Sequence, residues 1–284
     1  MLDLMYITNN PDIAQIAEKA GVDWIFLDME FIGKGSRQGG LDTVQNHHTH
    51  ENISIVKGVL TTSSVLVRVN PMHSELPDYM SSEKEIEKAI ESGADIIMLP
   101  FFKTTDEVHK FIQIVESSCK RYGRNVKTCL LLETPESADL LEQLVEIPGI
   151  NMIHIGLNDM HLALGRKFMF QLLADGSVDK WASIIKSKGI KYGFGGLASL
   201  DGGAVPGSMI LKEHYRLGSQ QVILSRAFCN TDIVTDLEEV KKIFDKGINE
   251  IRKLEQDLLN ADSRIFEENR LAVVNAVNAV IESK

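Results

Sequence analysis

Eight short apolar segments, each separated from the next by a longer amphipathic stretch, constrain the fold of this chain more than any other feature. The segments are nearly continuous runs of apolar residues, which is typical of β-strands that are buried on both faces. Strands that alternate with helices form parallel sheets, and eight such units favour a closed (β/α)8 TIM barrel over an open doubly wound sheet. The predicted strands are residues 4–8, 23–29, 64–70, 95–101, 127–133, 152–157, 191–197 and 221–227.

A single TIM-barrel domain is predicted for residues 1–284, because no linker rich in Pro or Gly interrupts the alternation. A helical extension of about residues 261–284 follows the eighth unit. Its apolar face must pack either on its own barrel or on a neighbouring subunit. The residues of that face are Leu271, Val274, Ala276, Val277, Val280 and Ile281.

The charge balance is acidic, with 30 Lys and Arg against 40 Asp and Glu and a formal net charge of -10. An acidic chain repels phosphate backbones, so nucleic acid is a poor partner. The three widely spaced cysteines lack a CxxC pair, as expected of reduced thiols. The sequence shows neither a signal peptide nor an apolar run of the ~20 residues that a membrane span needs. We therefore expect a cytoplasmic protein that is not inserted in a membrane.

Polar residues gather where the predicted strands end, and a TIM barrel carries its chemistry at that end of its strands. A charge on an apolar strand is costly unless it is paired or bound to a metal. This distribution therefore indicates a site. The residues concerned are Asp28, Glu30, Arg68, Asn70, Glu133, Thr134, Asn158, Asp159, Ser225 and Arg226.

Glu133 and Asp159 follow consecutive predicted strands, so their carboxylates are expected to converge. Two carboxylates, completed by waters and a bidentate substrate, suit Mg²⁺ or Mn²⁺. The alternative is that each residue caps the helix that follows it.

Arg68 lies within an apolar strand and also has two interpretations. It is either the partner of Asp28 or Glu30 in an internal ion pair, or a guanidinium that stabilises a developing enolate on the substrate.

Five segments in order resemble the HpcH/HpaI aldolase/citrate lyase family of the phosphoenolpyruvate/pyruvate barrel superfamily. They lie between about residues 11 and 165, and the resemblance weakens beyond residue 190. The segments are AEKAGVDWIFLDME, VLVRVNP, AIESGADIIMLPFFKTTDE, CLLLETPES and IHIGLNDMHLALG.

This resemblance implies that Glu133 and Asp159 are metal ligands and that Arg68 contacts the enolate oxygen of a small 2-oxo acid such as pyruvate. It also implies that backbone N–H groups around Asn158 and Asp159 hold the substrate carboxylate, as helix N-termini bind anions. Related barrels exchange their last helix between subunits, so a homo-oligomer with exchanged C-terminal helices is expected.

One position departs from the family. The metal-dependent pyruvate aldolases carry a catalytic histidine directly after the glutamate that corresponds to Glu30, and this chain has Phe31 there. The following loop contains His47, His48 and His50, and we favour His48 as the replacement base because His50 is expected to face solvent. The alternatives are a surface cluster without a catalytic role, or His73 after the third strand.

His154, flanked by isoleucines, is predicted to be a core histidine. Lys34, Arg37 and Arg226 are candidates for binding a second anionic group, or are ordinary surface charges. Glu30, Asn158 and Arg226 complete the predicted substrate site. The glycine-rich stretch 193–207 is either a phosphate-binding segment or a flexible lid.

Three functions remain open at this point. The first is a metal-dependent aldolase or aldol synthase acting on a 2-oxo acid. The second is a lyase of the citrate lyase or malyl-CoA type acting on an acyl thioester, against which the acidic balance argues mildly. The third is a non-catalytic barrel that binds a metabolite, which Phe31 favours.

Overall fold

The computed structural model describes residues 1–33 and 48–283. Eight parallel strands form a closed barrel in sequence order, with β1 paired to both β2 and β8. The predicted (β/α)8 TIM barrel is therefore confirmed. The strands are β1 Asp3–Ile7, β2 Trp24–Asp28, β3 Ser64–Arg68, β4 Ile96–Leu99, β5 Lys127–Leu132, β6 Met152–Ile155, β7 Lys191–Leu197 and β8 Gln221–Leu224.

Helices connect the strands and cover the outside of the barrel. The segment between β6 and β7 is divided into several helices, because Gly165 and Gly176 adopt φ angles of 66° and 80° that interrupt a right-handed helix. The helices of the described residues are α1 Pro11–Ala20, α2 His50–Val59, α3 Ser82–Ser92, α4 Thr105–Tyr122, α5 Pro135–Asp139, α6 Leu141–Leu144, α7 Leu157–Ala163, α8 Gln171–Ala174, α9 Ser177–Ser187, α10 Gly207–Leu217, α11 Leu237–Leu259 and α12 Ser263–Glu282.

Two apolar layers stabilise the barrel, because successive side chains of a strand point to opposite faces. The outer layer lies between the strands and the helices. The inner layer fills the barrel and includes Phe26, Leu66 and Leu131. Asp28, Arg68 and Glu133 each lie two residues beyond one of these three, so the same alternation points their side chains inward at the carboxyl end.

The C-terminal extension is the helix α12, as predicted, and it packs against α8 and α10 of its own barrel. Val273 and Val277 are buried, and Asn269 Nδ2 donates to Glu213 Oε1 at 2.8 Å. Of the predicted apolar face, Val277 is buried within the single chain, whereas Leu271 is 54% exposed. Among the described residues, none of the helices has the length and apolar character that crossing a bilayer requires.

Candidate active site

A cavity of about 390 Å³ opens at the carboxyl ends of the strands. Its lining brings together most of the predicted site residues although they come from distant parts of the sequence. The described residues of the cavity wall do not include Glu30 or His48. The predicted residues that line it are Arg68, Glu133, Asn158, Asp159 and Arg226.

Arg68 lies at the centre of an ion-pair network. Its Nε and Nη2 atoms each donate to one carboxylate oxygen of Asp28 at 2.8 Å, and its Nη1 atom lies 3.3 Å from Glu30 Oε2. The predicted internal ion pair is thus present. Burial alone would lower the pKa of Arg68, but the charges of Asp28 and Glu30 raise the pKa well above its ordinary value. The guanidinium has five N–H donors and the bonds to Asp28 use two, so the pair orients a permanent cation at the cavity wall.

Glu133 follows β5 and is only 2% exposed. Its Oε1 atom accepts the backbone N–H of Phe101 at 3.1 Å. Phe101 adopts a φ of 53°, a strained conformation for a bulky residue, and such strain is concentrated at functional sites. Gly156 leaves room for the carboxylate, because a Cβ atom there would lie 3.0 Å from Glu133 Oε2.

Neither Glu133 nor Asp159 caps a helix, so the alternative interpretation of the two carboxylates was wrong. Thr134 caps α5 through a capping box with Ser137. The N-cap of α7 is Gly156, and Asp159 lies in the first turn of that helix rather than at the end of a strand. Both residues line the cavity.

The donor set of the cavity fits a hard divalent cation. Mg²⁺ and Mn²⁺ prefer oxygen ligands and accept one or two protein carboxylates with waters and substrate oxygens. The part of the chain that the structure describes holds no group of three or more His, Cys, Asp or Glu side chains arranged for a metal. Glu133 and Asp159 would be the protein ligands, and the remaining positions would be left to water and substrate.

The predicted base, His48, lies behind the cavity wall. It is 5% exposed, and its Nδ1 atom accepts the backbone N–H of Asp28 at 2.9 Å. In the neutral ring this bond places the proton on Nε2. The contact ties His48 to the residue that holds Arg68, and its role as a base stays a prediction.

The other histidines of this region lie in different environments. His50 does not face solvent as predicted: it is half-buried at the start of α2, and its Nε2 atom lies 3.1 Å from the carbonyl oxygen of Glu85. His73 makes close contacts at both ring nitrogens, with the carbonyl oxygens of Pro71 and Met80. His47, Lys34 and Arg37 lie outside the described residues.

His154 is buried as predicted, yet it also lines the cavity. Its Nε2 atom lies 3.2 Å from the carbonyl oxygen of Gly195, whereas Nδ1 has no hydrogen-bond partner among the described residues. Burial lowers the pKa of His154 to about 4, so the ring is neutral. Strand alternation could have placed it inside the barrel, because it lies two residues after the inward-facing Met152.

The segment after β8 supplies a part of the wall that the sequence interpretation missed. Arg226 is exposed at the mouth, and Asn230, Thr231 and Asp232 follow it in the lining. The Tyr6 hydroxyl donates to the carbonyl oxygen of Cys229 at 3.1 Å, which anchors this segment to β1. Gly195 and Gly196 of the glycine-rich stretch also line the cavity.

Comparisons with known proteins identify the family of this chain. The profile of the HpcH/HpaI aldolase/citrate lyase family matches residues 4–169. A hydroxypyruvate/pyruvate aldolase of Sagittula stellata is 20% identical over 186 residues, which are 58% of this chain and 65% of that protein. The citrate lyase subunit beta of Leuconostoc mesenteroides is 27% identical over 154 residues, which are 52% of this chain and 46% of that protein.

Both matches thus span less than two thirds of the relative's length. The crystal structure of an HpcH/HpaI aldolase from Desulfitobacterium hafniense shares the fold, with a TM-score of 0.61 at 14% identity, covering 85% of this chain and 93% of that one. The family profile covers more than half of the chain, including Arg68, Glu133 and Asp159. The chain belongs to the HpcH/HpaI aldolase/citrate lyase family.

Proposed function

We propose that this protein is a divalent-metal-dependent carbon–carbon lyase or aldol synthase that acts on a small 2-oxo acid through its enolate. The observation that carries the proposal is the oriented cation of Arg68 at the wall of the cavity that Glu133 and Asp159 also line. An enolate is an anion, and a fixed, oriented cation stabilises such a charge far better than water does.

Arg68 would act on the oxo oxygen of the substrate. As the carbon–carbon bond breaks, negative charge develops on that oxygen, and the guanidinium held by Asp28 needs no reorganisation to meet it. Glu133 and Asp159 would hold Mg²⁺ or Mn²⁺, which polarises the oxo and carboxylate oxygens when bound. Asn158, in the first turn of α7, lies where the substrate carboxylate would be received.

A proton must also leave the substrate hydroxyl during cleavage, or reach the new alkoxide during condensation. Phe31 offers no group for this step, and His48 is our candidate for it. Because Nδ1 accepts the backbone N–H of Asp28 and Nε2 carries the proton of the neutral ring, His48 would have to release the Asp28 N–H before it accepts the substrate proton. In cleavage the hydroxyl proton goes to the base, the carbon–carbon bond breaks to release an aldehyde, and the enolate is then protonated on carbon.

The test should not depend on knowing the aldehyde. We expect pyruvate in D2O to lose its methyl proton signal in NMR when the protein and Mg²⁺ or Mn²⁺ are present, because enolate formation exchanges those protons. The exchange should require the metal and should be absent in Glu133→Gln. A screen of 2-oxo acids that shows neither proton exchange nor carbon–carbon bond turnover would overturn the proposal and favour the non-catalytic alternative.

A second candidate is a lyase that acts on an acyl thioester. It is supported by the match to a citrate lyase subunit, and by Arg226 at the cavity mouth as a contact for a second anionic group. A rise in Tm with coenzyme A thioesters, but not with free 2-oxo acids, would favour this candidate.

We also propose a homo-oligomer in which α12 is exchanged between subunits. Within the single chain, α12 covers α8 and α10, and the same contacts are available to a neighbour's helix. Ile265 and Leu271 remain exposed on α12 at 41% and 54%. Light scattering that finds a monomer at micromolar concentration would exclude this assembly.

A further inference from the structure

A buried pair of side chains, Asn70 and Glu85, joins the end of β3 to the start of α3. The backbone N–H of Asn70 donates to Glu85 Oε1 at 3.2 Å, and the side-chain Nδ2 donates to the same oxygen at 2.8 Å. The two residues are only 4% and 3% exposed. Neither belongs to the described wall of the cavity, so any influence on chemistry must pass through other residues.

The same amide reaches across to the chain that leaves β2. Asn70 Oδ1 accepts the backbone N–H groups of Phe31 and Ile32 at 2.8 and 2.9 Å. Phe31 directly follows Glu30, whose carboxylate lies 3.3 Å from Arg68 Nη1. Asn70 therefore uses both ends of its amide, with Nδ2 directed to Glu85 and Oδ1 directed to the backbone beside Glu30.

The start of α2, which follows the connection from β2, also contacts Glu85. His50, the first residue of α2, places its Nε2 atom 3.1 Å from the carbonyl oxygen of Glu85. Glu85 thus contacts the start of α2 through its backbone, and the end of β2 through its side chain and Asn70. A hydrogen-bond network that is buried and connected in this way holds its members in one arrangement.

We infer that Asn70 and Glu85 are positioning residues that clamp both ends of the β2–α2 connection and thereby hold Glu30 against Arg68. Their effect on catalysis rests on the proposed function. Their restraint of the backbone of Phe31 and Ile32 is independent of that function. Residues that orient the groups of a site in this way affect activity without touching the substrate.

The carboxylate of Glu85 is maintained at a cost to the fold. Burial raises the pKa of Glu85 from 4.5 to about 7, although the hydrogen bonds from Asn70 and the nearby His73 lower it. The groups facing Glu85 are Asn70, His73 and, through the backbone carbonyl, His50. Because the pKa of Glu85 is higher in the folded state than in the unfolded state, the unfolded chain loses this proton first. The free energy of unfolding therefore falls as the pH rises from 4.5 to 7. Perturbed groups of this kind are concentrated at functional sites.

The pair allows an exchange experiment. In Asn70→Asp the Oδ1 acceptor for Phe31 and Ile32 remains, but a second carboxylate faces Glu85. In Glu85→Gln the charge is lost, but the Oε1 atom of the amide can still accept from Asn70 Nδ2. The double variant Asn70→Asp with Glu85→Gln restores one donor and one acceptor with their positions reversed. The control is Glu83→Gln, which makes the same charge change at an exposed position of α3.

We expect Asn70→Asp to lower kcat at least about tenfold with little change in KM, because two acceptors then face each other. Glu85→Gln should stay close to the wild type, and the double variant should recover most of the loss, because the glutamine amide then donates to the aspartate. Recovery in the double variant is the signature of a direct interaction between the two side chains. The Tm of Glu85→Gln should stay within ~3 °C of the wild-type value at pH 8, because the substitution also removes the cost of a buried charge.

Amide hydrogen exchange of the peptide containing Phe31 and Ile32 provides a measurement that is independent of activity. Exchange should accelerate in Asn70→Ala and in Asn70→Asp, and slow again in the double variant. Unchanged exchange and kcat in Asn70→Ala and Asn70→Asp, or a double variant no better than Asn70→Asp, would overturn the clamp. If the wild-type protein turns over no 2-oxo acid, the proposed function fails, and the exchange measurement alone decides the clamp.

Discussion

The two ends of the barrel contain the same types of charged residue in different arrangements. At the amino end, Glu18 accepts the backbone N–H groups of Thr61, Thr62 and Ser63 at 2.7–2.8 Å. Burial would raise its pKa, but these bonds lower the pKa of Glu18 to about 2. At the carboxyl end, the oriented Arg68 and the carboxylates of Glu133 and Asp159 line an open cavity.

The difference separates charges that stabilise the fold from charges placed for chemistry. Glu18 is surrounded by donors that belong to the chain itself, so its ionisation contributes to stability. The acids and the cation at the mouth face a space large enough for a ligand, as expected of a TIM-barrel site. Substitutions at the carboxyl end should therefore change activity and metal binding, whereas substitutions at the amino end should change the free energy of unfolding.

The largest effect is expected from removing either proposed metal ligand. Glu133→Gln and Asp159→Asn should abolish activity and weaken Mg²⁺ or Mn²⁺ binding, because each replaces a charged oxygen donor by a neutral amide. Folding should survive, since neither carboxylate caps a helix. Metal titration by calorimetry measures the effect, and unchanged affinity in both variants would rule out the assignment.

Arg68→Lys should lower kcat by roughly 10²–10³-fold, the usual worth of one group that stabilises the developing charge. Lysine keeps the charge but loses the planar fork that Asp28 orients. Arg226→Lys, at the exposed mouth, is the matched control and should change mainly KM. If Arg68→Lys changed only KM as well, Arg68 would bind ground state and transition state equally.

His48→Ala should lower kcat at least about a hundredfold if His48 is the base, while metal affinity stays near normal. His47→Ala and His50→Ala should do less. The pH dependence of kcat separates the two possible roles. If His48 is the base, the limb near neutral pH disappears in His48→Ala; if His48 only positions Asp28, the limb remains and the maximal kcat is lower. Glu85 also has a pKa of about 7, so its ionisation could produce a limb in the same pH range. If His48 is responsible for the limb, the limb should persist in Glu85→Gln. Full activity with an unchanged limb in His48→Ala would refute the assignment.

The smallest effect is expected at the amino end. Glu18→Gln should cost on the order of 1 kcal/mol at pH 7 and leave kcat unchanged. Because the folded pKa of Glu18 is lowered, its contribution is complete above pH 4.5 and is lost as the pH falls toward 2. The gap in unfolding free energy between variant and wild type should shrink across that window. A loss of kcat in Glu18→Gln would contradict the separation of the two ends.

Much of the fold was predictable because strand burial and helix amphipathicity are local patterns. The eight strands were found to within a few residues, since a strand buried on both faces is an uninterrupted apolar run. The helix boundaries near Gly165 and Gly176 could not be predicted, because the sequence does not show whether a glycine within a helical pattern will adopt a positive φ. The burial of Val273 in α12, outside the predicted apolar face, was not predicted either, because the packing of neighbouring helices selects the buried face.

The candidate site divides in the same way. The sequence by itself determined that Arg68, Glu133 and Asp159 belong at one end of a barrel, because a costly charge at or near the end of an apolar strand has few other uses. Only the tertiary structure decided that Thr134 and Gly156 cap the adjacent helices, that His48 meets the backbone of Asp28, and that Asn70 joins Glu85 to Phe31 and Ile32. Those partners are separated by up to 39 positions in the chain. A hydrogen bond over such a separation depends on how strands and helices pack, which no local pattern encodes.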